Sequence, residues 1–259
     1  MSVPRILIAC VILLYCFSSC KKENINGAGD RLLQRVVNRS GDSIGYLSYE
    51  YDAQKRLVAI TDSNNHGGYI GTTLIKYDTA ENLTRFTYQG IYPGQPDREW
   101  AYLLVYQEGK VIQKLVSNSN NGSFVTENIY TYDMKGRLVR DSAISWGYTN
   151  FVYDDNDNVV QMQKFYKAAG AMINSYNITA SYDSNINPYN GLGLTLYFIT
   201  DLYSVISKHN ITQEIYNQYN SNHTGNYTYE YENSLPKMMT ETWENDGLVS
   251  VSTVNFYYN

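Results

Sequence analysis

The sequence predicts an all-β protein. The expected form is an antiparallel meander of Tyr-Asp β-hairpins, curled into a barrel-like or strongly twisted sheet. One short apolar helix or loop, at about 192–206, is expected to cover an open end. Three observations predict this. A Tyr-x-Tyr-Asp unit recurs: Tyr51, Tyr77, Tyr106, Tyr132, Tyr153, Tyr182, Tyr231 and Tyr258 stand 26, 29, 26, 21, 29, 49 and 27 residues apart. Aromatic and polar residues alternate before each of these positions. Tyrosine is over-used, at 27 residues against 7 Phe and 3 Trp. Its ring packs like a hydrophobe while its hydroxyl wants a partner, which suits the face of a half-buried sheet.

The clearest unit runs from Tyr130 to Arg140. Tyr130 and Tyr132 lie two apart, so on a strand they share a face. Asp133 ends the strand, because its side chain can bond the backbone of a turn. Gly136 supplies the positive φ of a tight turn. Leu138 and Val139 begin the return strand.

The other copies follow in order. Tyr49-Glu50-Tyr51-Asp52 leads to Leu57-Val58-Ala59-Ile60, and Ile75-Lys76-Tyr77-Asp78 leads to Leu83-Thr84-Arg85-Phe86. Leu104-Val105-Tyr106-Gln107 is a worn copy. Phe151-Val152-Tyr153-Asp154 leads to Val159-Val160-Gln161-Met162. Ala180-Ser181-Tyr182-Asp183 has no clear return strand. Tyr229-Glu230-Tyr231-Glu232 leads to Pro236-Lys237-Met238, and Phe256-Tyr257-Tyr258 reads as a last strand. Several units lack the turn glycine. The spacing of 49 is near two periods, so one unit is expected to have been replaced. Two strands per unit imply about 14 to 16 strands of roughly 6 to 8 residues.

Strict alternation means a sheet with one wet face. A sheet of so many strands must curl, close or split. Short strands, dispersed tyrosines and mid-strand charges at Arg85, Lys114 and Arg140 favour an aromatic face turned inward. An outer-membrane barrel, which alternates as well, is the other possibility. Between the sixth and seventh copies, Asn187-Pro188-Tyr189-Asn190-Gly191 is a turn. Leu192 to Ile206 is then almost uncharged, an apolar plug in helical or irregular form.

The chain has 259 residues and a net charge of −5, which argues against nucleic acid as a partner. Arg5 precedes an apolar run from Ile6 to Phe17, too short to span a bilayer as a mature helix and suited to a signal-peptide core. Phe17-Ser18-Ser19-Cys20 resembles the bacterial lipobox, in which the cysteine carries the lipid. The expected organisation is a signal peptide over 1–19, a flexible tether over 20–30 and a single hairpin-repeat domain over 31–259. Cys10 and Cys16 lie in the signal core, so only Cys20 remains, and neither a disulfide nor a cysteine zinc site is expected. Lys21 follows Cys20 where an inner-membrane retention signal would have Asp, and Lys21-Lys22-Glu23 weakly resembles a surface-export tether. A lipid anchor on Cys20 in the outer membrane is expected, facing either the cell surface or the periplasm.

Tyr-x-Tyr-Asp-x-x-Gly-Arg-Leu resembles the repeats of Rhs and teneurin shells, which are far longer and wrap a cargo. The ordered set of Cys20, the hairpins, Asn187-Pro188-Tyr189, Ser207-Lys208-His209-Asn210 and Tyr229-Glu230-Tyr231 resembles a Bacteroidetes lipoprotein family of porin-like β fold. The resemblance covers nearly the whole mature chain and implies that fold. It implies no activity.

Motifs of catalysis are absent: no HExxH, no phosphate loop and no nucleophile elbow occurs. No cofactor or metal is expected. His66 and His223 sit in Gly/Asn-rich stretches that read as turns. Asp154-Asp155-Asn156-Asp157-Asn158 lacks the sixth-place Gly and twelfth-place acid of an EF-hand and reads as a hairpin turn. Asp42-Ser43-Ile44, Asp78-Thr79-Ala80 and Asp141-Ser142-Ala143 resemble Bacteroidetes O-glycosylation sites, with Ser43, Thr79 and Ser142 as acceptors.

The functional expectation is a non-enzymatic envelope lipoprotein, a β scaffold that binds a glycan, an apolar ligand or an envelope protein. Tyr49, Tyr51, Tyr77, Tyr130, Tyr132, Tyr153, Tyr182, Tyr229 and Tyr231 form its candidate aromatic binding face. A tyrosine-lined pocket beneath residues 192–206 points to a small ligand. A filled interior with an exposed aromatic patch points to protein contact. The second reading is a glycan-acting hydrolase, which needs two carboxylates about 5 to 10 Å apart in a cleft.

Overall fold

The structure is a computed structural model and describes residues 31–65, 68–118, 123–168, 170–218, 221–245 and 247–259. The strands run β1 (Leu33–Ser40), β2 (Ser43–Tyr51), β3 (Leu57–Asn64) and β4 (Ile70–Tyr77). Next come β5 (Leu83–Ile91), β6 (Arg98–Gln107), β7 (Lys110–Asn118) and β8 (Val125–Tyr132). β9 (Leu138–Ala143), β10 (Gly147–Tyr153), β11 (Val159–Ala168) and β12 (Ala171–Ile186) follow. A helix, α1 (Gly193–Thr200), and a 3-10 turn, Tyr203–Ile206, precede β13 (His209–Gln218), β14 (Ser221–Glu232), β15 (Leu235–Asn245) and β16 (Leu248–Tyr258). Each strand pairs antiparallel with its neighbours in sequence, and β1 pairs with β16, which closes a 16-strand barrel. Closure removes the sheet edges that a long open sheet would expose.

The Tyr-Asp units explain the closure locally. In every unit the strand slips register at the second tyrosine: between Glu50 and Tyr51, Lys76 and Tyr77, Thr131 and Tyr132, and Val152 and Tyr153. Such a bulge sharpens the right-handed twist. The Asp then organises the turn. Asp52 Oδ1 accepts the amides of Gln54 and Arg56, and Asp154 Oδ1 those of Asn156 and Asn158. The backbone bond from Arg56 is the main cause that holds Asp52 below the usual carboxylate range. Gly136 has φ +83°, as its turn requires. Where the glycine is missing, Lys55 (φ 61°), Glu81 (φ 64°) and Asp157 (φ 63°) keep the same left-handed geometry.

The same residues bind one unit to the next. Among the described residues, seven tyrosine hydroxyls donate to a backbone carbonyl of the preceding hairpin, at 2.6 to 3.0 Å. Tyr77 reaches Leu57, Tyr132 reaches Val111 and Tyr153 reaches Leu138. Tyr51 reaches Leu33, so the same bond joins the first hairpin to β1, the strand that pairs with β16. Arg56 and Arg137 each bind their own turn Asp, then lie 4.8 and 4.7 Å over Tyr77 and Tyr153 of the following hairpin. Leu33, Leu57, Leu83, Val111, Leu138 and Val159 form a buried ring beneath these contacts.

Three expectations change. No unit was replaced at the long interval: Tyr182 pairs with Ile211, so β12 and β13 form an ordinary hairpin whose turn holds an insertion. The missing return strand is β13, displaced in sequence by that insertion. Strand length is also greater than expected, reaching 16 residues in β12 and 11 in β15 and β16, because each strand continues past its aromatic segment. Lys114 does not mark a wet face. It points into the barrel and is buried, because an ion pair awaits it there.

All Tyr-Asp turns lie at one end of the barrel, together with the start of β1 and the end of β16. The outward face is polar, with Arg35, Glu50, Lys76, Arg140, Gln163 and Glu230 on it. Leu74, Val105, Ile129 and Val152 are exposed singly between polar residues.

Candidate ligand cavity in the barrel lumen

The insertion in the β12–β13 turn enters the lumen as a plug. Its neck is fixed by hydrogen bonds. Asn187 Nδ2 donates to the carbonyls of Ser204 and Ser207, and its Oδ1 accepts the amide of Tyr189. Ser207 Oγ accepts the amide of Val159, and Asn158 Oδ1 accepts that of His209. Asn210 Nδ2 donates to Asn185, Ile186 and the Tyr231 hydroxyl. The Ser207–Asn210 stretch therefore ties the insertion to two hairpins.

The plug leans to one side. Phe198 packs on Tyr130 with ring centroids 4.9 Å apart, and Tyr197 meets Phe151 edge-on at 5.7 Å. The Tyr197 hydroxyl donates to Asp141 Oδ2 at 2.7 Å, and Asn128 Nδ2 donates to Asp141 Oδ1 at 2.6 Å. Burial pushes the Asp141 carboxyl above its ordinary range, against the pull of these two donors. At the end of α1, Asp201 pairs with Lys114 at 3.1 Å, and Glu127 lies 3.4 Å from the same ammonium. These contacts hold the plug against β7–β10.

On the opposite side a cavity of about 530 Å³ remains between the plug and the wall of β1–β3 and β13–β16. That volume lies in the range of small-molecule sites. Aromatic rings line it, among them Tyr49, Tyr189, Tyr203, Tyr227, Tyr229 and Trp243. Tyr227 meets Trp243 edge-on at 6.3 Å, and Tyr189 meets Phe256 in the same way. Tyr49 and Tyr189 share a hydrogen bond, and burial pushes Tyr189 up to about 12.

Two carboxylates enter the cavity wall. Glu214 accepts the hydroxyls of Tyr203 and, at 2.6 Å, Tyr227. Burial raises Glu214; the two hydroxyls lower it, and the charge of Glu241 adds to the rise. Glu241 accepts the indole N–H of Trp243 and the hydroxyl of Ser252. A second recess, about 570 Å³, lies beside α1 at the turn end. Its cations are engaged, Arg56 by Asp52 and the Tyr77 ring, and Lys110 by the Tyr132 ring.

The structure sorts the residues singled out in the sequence. Tyr49 and Tyr229 line the cavity, and Tyr130 is buried against the plug. Tyr51, Tyr77, Tyr132, Tyr153 and Tyr182 instead join hairpins by their hydroxyls. Tyr231 binds Asp183 and Asn210 at the plug neck. Ser43, at the start of β2, and Thr79, in a turn, are exposed; Ser142 is half-buried on β9. His223 lies on β14 beside the Tyr216 ring, 5.9 Å away, and not in a turn; the Gly225 that suggested a turn is a strand residue packed against Trp243. Cys20 and His66 lie outside the described residues. Sequence reasoning missed Glu214, Glu241 and Trp243. Inward alternation with Tyr216 was the available signal for Glu214, but no Tyr-Asp motif marks that strand.

No family model matches the chain, and no curated protein matches it. Among solved structures, it is similar to a porin-like protein from Bacteroides uniformis, with a TM-score of 0.45 and 14% identity over 88% of this chain and 98% of that one. A porin-like protein from Bacteroides vulgatus gives 0.45 and 11% identity, covering 89% and 99%. The chain is also similar, over 78% of its length, to 10% of a chain in the Photorhabdus luminescens Tc holotoxin pore, with a TM-score of 0.32 and 14% identity.

Proposed function

We propose that the protein is a non-enzymatic cell-envelope lipoprotein whose barrel binds a small ligand in its lumen. The cavity between plug and wall carries this reading: it has the size of a ligand site, aromatic walls and a few convergent polar groups. A lipid on Cys20 is the proposed anchor to the outer membrane. Because β1 starts at the turn end, a tether from Cys20 holds that end toward the bilayer. The polar outward face then stands in water. Ser43 and Thr79 are the accessible candidates for O-glycosylation, with Ser142 the least accessible of the three.

The test is a thermal-shift panel of glycans, lipids, bile acids and organic amines on the intact protein. A ligand at about 100 times its Kd adds roughly 2.7 kcal/mol. Val254→Trp, which fills the cavity, should abolish the shift. A flat panel on a folded sample would reject lumen binding in favour of a scaffold for envelope proteins.

A glycan-acting hydrolase is the second reading, because Glu214 and Glu241 face one cavity. All four of their oxygens already accept a hydrogen bond from the wall, which suits binding better than proton transfer. Turnover of aryl glycosides that is lost in Glu241→Gln would favour hydrolysis.

A further inference from the structure

The charged groups of the lumen cavity are of one sign. Several donors on its wall are engaged: Tyr203 and Tyr227 with Glu214, Trp243 with Glu241, and Thr200 with the carbonyl of Leu196. Its acceptors are not filled. Each carboxylate oxygen of Glu214 and Glu241 has a further lone pair. Asn210 also lines the cavity and is only 2% exposed, yet its Oδ1 has no donor. Among the described residues no Lys, Arg or His lines this space, so two acids share it without a cation.

We propose that the cavity binds an organic cation, a primary or secondary ammonium group on an apolar or aromatic body. This rests on the ligand-binding reading above. An ammonium group brings only donors, which suits the open acceptors of Glu214, Glu241 and Asn210. Its charge answers the two carboxylates, and the faces of Tyr227, Tyr229 and Trp243 attract it as well. The rest of the ligand meets apolar wall at Leu196, Val254 and Phe256. A sugar fits less well, since it brings no positive charge to answer the two carboxylates. An anionic ligand is repelled. Burial pushes the Glu214 carboxyl upward, as expected of an acid short of a cation.

The experiment is titration calorimetry on the intact protein with phenethylammonium, 2-phenylethanol, phenylacetate and methyl glucoside. Phenethylammonium should bind about tenfold or more tightly than 2-phenylethanol. Glu241→Gln, a half-buried site that tolerates an isosteric amide, should weaken phenethylammonium far more than 2-phenylethanol and so remove most of that margin. Added salt should weaken the ammonium alone. Equal or tighter binding of 2-phenylethanol, phenylacetate or the glucoside overturns the cation assignment and leaves lumen binding standing. If neither these probes nor the thermal-shift panel binds, both fall.

Discussion

The hydroxyl of Tyr132 donates to the backbone carbonyl of Val111 at 2.8 Å, joining two hairpins that share no turn. The bond explains why the position is Tyr when Phe would fill the same ring of core. Tyr132→Phe keeps the packing and strands one partner, so it should lower stability by about 1 kcal/mol. Urea denaturation should show a lower midpoint with an unchanged slope. An unchanged midpoint would reduce the bond to a packing accident.

The hairpins were legible because their chemistry is local. Asp133 and Gly136 define a turn within five residues, and Tyr130 with Tyr132 defines a face. The partner of the Tyr132 hydroxyl was not legible, since it lies in another hairpin and depends on register. The plug was legible as an apolar stretch between Leu192 and Ile206, but its place in the lumen was not. That place rests on Asn158, Ser207 and Asn210, polar residues whose partners stand 48 and more residues away or across the neck. The cavity acids were hidden for a related reason: Glu214 and Glu241 sit on β13 and β15 and converge only after the barrel closes.

Glu81 holds a left-handed φ of 64° at the place where Gly136 has +83°. A residue with Cβ costs about 1 to 2 kcal/mol there. Glu81→Gly should therefore stabilise the fold by about 1 kcal/mol, raising Tm by roughly 2 to 4 °C in a chain of this size. The same change at Gln54, one residue earlier in the equivalent turn, has no left-handed φ to relieve and should lower stability.

Lys114 joins the plug to the wall. Its ammonium is buried between Asp201, at the end of α1, and Glu127 on β8. Lys114→Met leaves the buried Glu127 oxygen without its cation and should cost about 1 to 3 kcal/mol. The loss should be local. Hydrogen exchange should quicken in α1 while β2–β5 keep their protection; uniform quickening would show that the plug and barrel open together.

Glu214 gives the protein a distinctive pH response. Burial raises its folded-state pKa above the unfolded value, so the folded chain holds this proton more tightly. Its contribution is most favourable below the unfolded value, near 4.5, and is lost as pH rises through the raised folded value. Asp52 and Asp78, lowered by the backbone bonds of their turns, act the opposite way: their contribution is present above the unfolded pKa and lost as pH falls through the folded one. The two effects separate in Glu214→Gln. That variant should lose stability relative to the wild type in acid, where Glu214 is protonated and both hydroxyl bonds persist, and gain on it steadily toward pH 7. Denaturation midpoints of both proteins across pH 4 to 8 measure the difference. A constant offset over that range would mean that Glu214 does not titrate there.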